Sequence, residues 1–174
     1  MNDQEVIKKC LEGDIEVYSL LMDKYQSGLY RHVYAMTRDS DLSEDICQES
    51  FIKAFQSLSK YNDGYKFSTW LYRIAINKTY DHFRKRKNVP FDEDIQTSTD
   101  DDMQDKGDMK QRALQVRSAI QNLSPKYRTV ISLYYWRQFK YDQIAEIMDV
   151  PVNTVRTWLS RAKSTLKEEL DGKL

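Results

Sequence analysis

Apolar residues recur at helical spacing in long stretches of this chain, and the alternating pattern of β-strands is missing from those stretches. Near the start, every fourth residue is apolar, which predicts a long helix with one buried face. Those positions are Val17, Leu21, Tyr25, Leu29 and Val33. Glycine and proline, which interrupt helices, number only 5 and 3 in 174 residues. The pattern predicts an all-α fold.

A second helix is predicted from about Ser43 to Leu58, with an apolar side and a polar side. The apolar side comprises Cys47, Phe51, Ala54, Phe55 and Leu58. The polar side comprises Asp45, Gln48, Glu49, Ile52 and Gln56, which share a narrow arc at 3.6 residues per turn. Ile52 is the odd member of that arc. It is either a lone exposed aliphatic residue or the apolar centre of a protein-binding face with a polar rim, and the sequence leaves both interpretations open.

A third helix is predicted from about Ser68 to Lys87, after a loop that is rich in aromatic residues. The loop, residues 61–67, holds Tyr61, Tyr65 and Phe67 around the turn-forming sequence Asn-Asp-Gly. Aromatic rings interleaved with Lys and Arg suit single-stranded nucleic acid, because bases stack on the rings and phosphates meet the cations. Each aromatic residue taken alone is more typical of a core. The loop and helix together favour nucleic acid.

Charge divides the chain into three parts although the total is zero. Residues 1–87 carry a net charge of +1, residues 88–109 carry −7 and residues 110–174 carry +6. The middle part is polar and lacks apolar periodicity, so it cannot bury enough surface to offset its chain entropy. We therefore predict two small helical domains, 1–87 and 110–174, joined by a flexible acidic linker, 88–109.

The basic part contains the most specific pattern in the sequence, a helix-turn-helix. Its first helix has Tyr141, Ile144, Ala145 and Met148 on one face. Pro151 ends that helix and Asn153 is predicted to cap the next. The second helix is predicted to bury Val155, Trp158, Leu159, Ala162 and Leu166, and to expose short and basic side chains that fit the major groove of DNA. An ordinary helical hairpin with a solvated basic face is the alternative.

Catalysis and cofactors find little support in the sequence. The two histidines, His32 and His82, have no obvious partners for a catalytic triad, and no phosphate loop or metal-ligand cluster is present. Cys10 and Cys47 fit neither a zinc pattern nor a disulfide framework and are predicted to be structural thiols. The first residues do not form a signal peptide, and no apolar run is long enough to span a membrane, so we expect a cytoplasmic protein without a cofactor.

Together these pieces resemble the extracytoplasmic-function sigma factors, small two-domain sigma subunits of bacterial RNA polymerase. In the first domain the resemblance rests on Ser43–Phe51 and Phe67–Asn77. In the second it rests on Leu123–Ile131, Ile144–Glu146, Thr154–Thr157 and Arg161–Ala162. The motifs occur in the order and at the spacing of the family. Asp149 stands where helix-turn-helix proteins often have Gly, and Asp tolerates the left-handed conformation better than most residues.

The resemblance implies three binding surfaces. The first docks on the coiled coil of the largest polymerase subunit and comprises Asp45, Gln48, Glu49, Ile52 and Gln56. The second captures flipped bases of the melted minus-ten element and comprises Tyr61, Tyr65, Lys66, Phe67, Trp70, Arg73, Asn77 and Arg84. The third recognises the duplex minus-thirty-five element and comprises Asn153, Thr154, Arg156, Thr157, Ser160, Arg161 and Lys163.

The resemblance also implies partners and a role. The partners are core RNA polymerase, promoter DNA and an anti-sigma factor that could hold the chain at the inner membrane face, and the role is promoter-specific initiation in a stress or envelope response. The linker would run through the polymerase between the domains. Two rival hypotheses are a stand-alone helix-turn-helix regulator and a protein-interaction module that sequesters another regulator. The docking face argues against the first, and the basic recognition face argues against the second.

Overall fold

A computed structural model describes residues 1–86 and 107–172, and in these ranges the chain is helical, as the sequence predicts. The helices are α1 (Asp3–Leu11), α2 (Tyr18–Thr37), α3 (Ser40–Gln56), α4 (Phe67–Arg86), α5 (Gly107–Asn122), α6 (Pro125–Ile131), α7 (Tyr141–Met148) and α8 (Val152–Asp171). Short 3-10 turns precede α2 and follow α3, and a π-helical turn, Ser132–Trp136, extends α6. None of the helices in the described ranges is both long enough and apolar enough to cross a bilayer.

The N-terminal half is built on α4, which packs against α2 and α3. Its inner face is fully buried at Phe67, Leu71, Tyr72, Ala75 and Ile76. Burying one large apolar side chain stabilises a fold by about 1.5–3 kcal/mol, so this face accounts for much of the stability of the half. The thiols of Cys10 and Cys47 are buried and unpaired, in accord with a structural role.

Two features of the N-terminal half differ from the sequence prediction: the start of one helix and the burial of one side chain. Helix α3 begins at Ser40 rather than Ser43, because the Asp39 side chain accepts a hydrogen bond from the Leu42 backbone N–H at 3.0 Å and caps the helix earlier. Phe55, predicted as buried, is 37% exposed and meets Tyr18 edge to face. The spacing of apolar residues gives the side of α3 on which Phe55 lies but not how completely its neighbours cover it.

The C-terminal half contains the predicted helix-turn-helix, α7 and α8, in which α8 packs on α5 and α6. Asp149 ends α7 in the left-handed conformation (φ 54°, ψ 49°), as the sequence predicts. The prediction that Asn153 caps α8 is wrong, because α8 begins at Val152 after Pro151, and Asn153 lies inside the first turn. The fixed φ of proline places Pro151 in the extended conformation from which the helix starts.

Helix α5 begins at Gly107, so the predicted linker, 88–109, is too long at its C-terminal end. Residues 107–109 are the first turn of α5, and the other predicted linker residues lie outside the described ranges. Acidic residues favour the first turn of a helix, because its free N–H groups carry partial positive charge. Asp108 occupies such a position. Acidic residues therefore occur on both sides of the boundary between the linker and α5, and acidic composition alone could not locate it.

The two halves pack against each other, chiefly α7 on α4 and α6 with its π-helical turn on α2. The Arg128 guanidinium is largely buried and donates to the Met36 carbonyl at 2.9 Å, at the C-terminal end of α2. The hydroxyls of Tyr80 and Thr129 share a hydrogen bond of 2.8 Å. Gly28 provides the room that Arg137 needs, because a Cβ atom at Gly28 would collide with the Arg137 guanidinium.

His32 lies in this contact, entirely enclosed. Its Nδ1 is 2.6 Å from the Ser132 hydroxyl oxygen. Burial, assisted by the positive charge of Arg137, lowers the pKa of His32 from 6.5 to about 3. The packed arrangement therefore holds a neutral imidazole.

We predict that acid destabilises the fold through His32. The unfolded chain binds a proton at this residue near pH 6.5, but the folded chain does so only near pH 3. The contribution of His32 to stability is complete above pH 6.5 and is lost as the pH falls below it, by about 1.4 kcal/mol at pH 5.5. Urea unfolding at pH 7.5 and pH 5.5 measures this loss.

Substituting the two histidines one at a time tests whether His32 causes the pH dependence of stability. His32→Gln should remove that part of the pH dependence, whereas His82→Gln, at the exposed histidine of α4, should keep it. An equal change in unfolding free energy between the two pH values in His32→Gln and the parent chain would contradict the assignment.

Candidate polymerase and nucleic-acid interfaces

The outer face of α3 projects into solvent along its length. Asp45, Gln48, Glu49 and Gln56 are exposed, and Ile52 at its centre is 49% exposed. On the opposite side of the helix, Ile46, Phe51 and Ala54 are buried. The face therefore has an apolar centre and a polar rim, the arrangement expected of a protein-binding surface.

One member of this face already has an intramolecular partner. The Glu49 carboxylate lies 3.1 Å from the Lys78 ammonium on α4. Glu49 is well exposed, and exposed ion pairs of this kind contribute little stability. The Glu49 carboxylate can therefore exchange Lys78 for a group on a partner protein.

The loop before α4 is held by its own hydrogen bonds. The Asn62 side chain accepts from the Gly64 backbone N–H at 2.9 Å, and the Tyr61 hydroxyl donates to the Tyr65 carbonyl. The Tyr65 ring is 52% exposed and Lys66 beside it is exposed. An aromatic ring next to a cation on a constrained loop can stack on a base while the ammonium meets a phosphate.

Phe67 does not belong to this surface, and the prediction that it contacts DNA is corrected. Its ring is 1% exposed and packs against Tyr25 with ring centroids 5.7 Å apart. Tyr61 and Trp70 lie partly buried against it, at 6.0 and 5.9 Å between centroids. The sequence pattern predicts a helix start at Ser68 and so leaves Phe67 in the loop, but α4 begins at Phe67, which continues the buried face of Leu71 and Ala75. Phe67 lies beneath the loop and supports it.

The outer face of α4 carries the other residues predicted to contact melted DNA. Asn77 and Arg84 are exposed, and Arg84 pairs with Asp81 at 2.8 Å one turn away. Arg73 is half-exposed and lies 3.6 Å from Asp149, the left-handed residue of the helix-turn-helix. The two halves thus meet beside Arg73.

The outer face of α8 is the third surface. Arg156, Thr157, Ser160, Arg161 and Lys163 are exposed, as is Asn153, while Thr154 is partly buried. Val155, Leu159 and Ala162 fill the core beneath them, as the sequence predicts. The Thr157 hydroxyl donates to the Asn153 carbonyl at 3.0 Å, which orients its methyl group and oxygen at the start of the helix.

Two tyrosines before α7 support this surface, and the sequence analysis did not identify them. The Lys163 ammonium lies 5.9 Å from the ring centre of Tyr134 and 5.6 Å from that of Tyr135. A hydrogen bond to Tyr135 raises the pKa of Lys163. The run of aromatic residues at 134–136 was the available signal, since aromatic faces attract cations.

The described residues offer no group of three or more His, Cys, Asp or Glu side chains that could hold a metal ion. The three surfaces offer side chains suited to binding: an apolar patch with a polar rim on α3, rings and cations near the start of α4, and a basic and hydroxyl-bearing face on α8.

Comparison with known proteins matches both halves. The family model for Sigma-70 region 2 matches residues 21–89, and that for Sigma-70 region 4 matches residues 113–166. The chain is 34% identical to the extracytoplasmic-function RNA polymerase sigma factor SigW of Bacillus subtilis, with 94% of each chain covered.

Solved structures share the fold. CnrH, in complex with the cytosolic domain of CnrY, superposes with a TM-score of 0.75 at 20% identity over 99% of each chain. The sigma factor RpoE of Bartonella quintana, in complex with the anti-sigma factor NepR, gives 0.69 at 22% identity over 88% of this chain and 96% of that one.

The matches to both sigma regions favour a sigma factor over a stand-alone helix-turn-helix regulator, which would need only the second. The chain therefore belongs to the extracytoplasmic-function sigma factors of the sigma-70 family, which bind core RNA polymerase and direct promoter-specific initiation of transcription.

Proposed function

We propose that this sigma factor divides its work among the three surfaces, with α3 docking on polymerase, the residue 61–66 loop and α4 capturing melted DNA, and α8 recognising duplex DNA. The observation that carries the proposal is that all three outer faces stay accessible while the opposite faces of the same helices form the core. Since they point away from a shared core, one chain can hold three partners.

The assignment of α3 to polymerase rests on its composition. Aliphatic Ile52 is surrounded by carboxylates and amides, which make directional hydrogen bonds with a protein partner. Carboxylates repel phosphates, so Asp45 and Glu49 suit a protein and not nucleic acid.

The loop and α4 are assigned to unpaired bases. Tyr65 gives an exposed ring and Asn77 gives an amide that can pair with the edge of a flipped base. Lys66, Arg73 and Arg84 would meet phosphates. The ion pairs of Arg73 and Arg84 are exposed, and exchanging such pairs for phosphate contacts costs little. Trp70 and Tyr61 shape the base of the loop from below.

The face of α8 is assigned to the major groove of the minus-thirty-five element. Arg156 can donate two hydrogen bonds to guanine, and Thr157 beside it can meet a base with its hydroxyl or methyl group. Lys163 lies two turns further along α8 than Arg156, against two tyrosine rings. We assign it to a phosphate.

We also propose an anti-sigma partner and a role in a stress or envelope response. The sigma factor RpoE of Bartonella quintana was solved in complex with an anti-sigma factor, and its fold matches 88% of this chain. A protein that holds the chain would compete with polymerase for the exposed apolar centre of α3.

Charge reversal tests the docking face. Asp45→Arg should keep the fold and weaken the affinity for core polymerase, because a truncated or reversed charge at such an interface costs about 2–5 kcal/mol. Asp23→Arg is the matched control, since Asp23 is an exposed acid on α2 away from this face. Equal polymerase affinity of the two folded variants would contradict the assignment.

Removal of the exposed ring tests base capture. Tyr65→Ala should weaken binding to a single-stranded minus-ten oligonucleotide by roughly 5-fold to 150-fold, since one stacked base contributes about 1–3 kcal/mol. Tyr135→Ala removes a similarly exposed ring from the other half and should leave that binding unchanged. Permanganate footprints of the open complex that are the same in Tyr65→Ala as in the parent chain would show that the loop is only structural.

Site selection distinguishes base contacts from phosphate contacts on α8. Arg156→Ala should lose discrimination at one base position, by about 1–3 kcal/mol. Lys163→Ala should weaken binding to all sequences alike and reduce the salt dependence. An unchanged base preference in Arg156→Ala would remove Arg156 from the recognition set.

A further inference from the structure

Helix α1 precedes residues 21–89, which the Sigma-70 region 2 model matches, and it contacts the loop assigned to base capture. Its first residue, Asp3, sits where α1 crosses α2. The Asp3 carboxylate accepts a hydrogen bond from the Lys24 ammonium at 2.6 Å and another, through its second oxygen, from the Tyr25 hydroxyl. Both donors are on α2, so this carboxylate fastens the start of α1 to that helix.

From Tyr25 the contacts continue to the loop. The Tyr25 ring packs against Phe67, and Phe67 packs against Tyr61 and Trp70. Tyr61 and Trp70 are themselves 5.3 Å apart between ring centroids. The hydroxyl of Tyr61 donates to the carbonyl of Tyr65, whose ring is the exposed one. An unbroken series of contacts thus joins Asp3 to the proposed stacking ring.

A second contact joins α1 to the loop directly. The side-chain amide of Gln4 donates to the Asp63 carbonyl at 3.4 Å, next to the turn at Asn62 and Gly64. The two contacts come from neighbouring residues of one helix: Gln4 reaches the turn of the loop directly, and Asp3 reaches Phe67 through Tyr25.

The Asp3 contact is stronger than an ordinary surface contact. Its side chain is 21% exposed, and a sheltered carboxylate with a cationic donor makes charge-assisted hydrogen bonds. Burial, together with the hydrogen bond to Asp3, raises the pKa of the Tyr25 hydroxyl, so it remains a donor throughout the neutral range. The geometry fixes the Tyr25 ring, and with it the aromatic support of the loop.

We propose that Asp3 is a positioning residue for base capture: through Tyr25 it holds the aromatic support of the residue 61–66 loop in the conformation that presents Tyr65 to an unpaired base. This inference rests on the proposed role of the loop. Helix α1 would then influence how tightly the loop binds an unpaired base, although no side chain of α1 contacts that base.

The test compares isosteric substitutions two residues apart on α1. Asp3→Asn removes the charge that holds Tyr25 and Lys24. Glu5→Gln makes the same chemical change at a carboxylate that only caps α1, where it accepts from the Asn2 backbone N–H at 3.0 Å. Asp3→Asn should weaken binding of a single-stranded minus-ten oligonucleotide roughly fivefold to tenfold, since hydrogen bonds to a charged group are lost. Glu5→Gln should bind as the parent chain does.

Two further readouts separate positioning from loss of stability. The indole N–H resonance of Trp70 in the free chain should shift in Asp3→Asn and not in Glu5→Gln. Tyr25→Phe should cause a smaller loss of oligonucleotide binding in Asp3→Asn than in the parent chain, because both changes act on the same contact. Affinities for core polymerase and for duplex minus-thirty-five DNA should be unchanged in all of these variants.

Three results would overturn the inference. In the first, Asp3→Asn binds the oligonucleotide as tightly as the parent chain while Tyr65→Ala is impaired, and the proposed role of the loop then stands alone. In the second, Glu5→Gln is impaired as much as Asp3→Asn, which assigns the effect to the stability of α1. In the third, Tyr65→Ala also binds normally, and the role of the loop fails together with the inference.

Discussion

The burial of one face of α4 is the constraint on which the rest of the structure depends. This face supplies Phe67, Leu71, Tyr72, Ala75 and Ile76 to the core, and both α2 and α3 pack on it. Since those contacts fix the rotation of α4 and α3 about their axes, they also decide which residues remain outside. The polar arc of α3 and the basic and amide side chains of α4 are exposed because the opposite faces are buried.

Much of this could be predicted from local patterns. The buried and exposed faces of α3, α4 and α8 follow from helical periodicity, and the left-handed Asp149 follows from the small set of residues that tolerate that conformation. Phe67 is the instructive exception. The predicted helix start at Ser68 leaves Phe67 in the loop, whereas α4 begins one residue earlier and buries the Phe67 ring on the same face as Leu71 and Ala75.

Contacts between distant parts of the chain could not be predicted in the same way. Nothing near His32 in the sequence indicates that Ser132 will lie against it, and Gly28 gives no sign that it makes room for Arg137. The link from Asp3 to Tyr25 is equally non-local, because it depends on the angle at which α1 crosses α2. Residues 87–106 lie outside the described ranges, so the predicted acidic linker remains a prediction over most of its length.

The central claim is that separate outer faces of one helical core bind separate partners. Hydroxyl-radical footprinting of the chain tests it most directly, with the chain alone, with core polymerase, and with polymerase and promoter DNA. Side chains on the outer face of α3, between Asp45 and Gln56, should become protected when polymerase alone is added. Protection of Tyr65, Asn77 and the outer face of α8 should appear or increase only with DNA. Unchanged reactivity of α3 in the polymerase complex, or full protection of all three faces before DNA is added, would contradict the account.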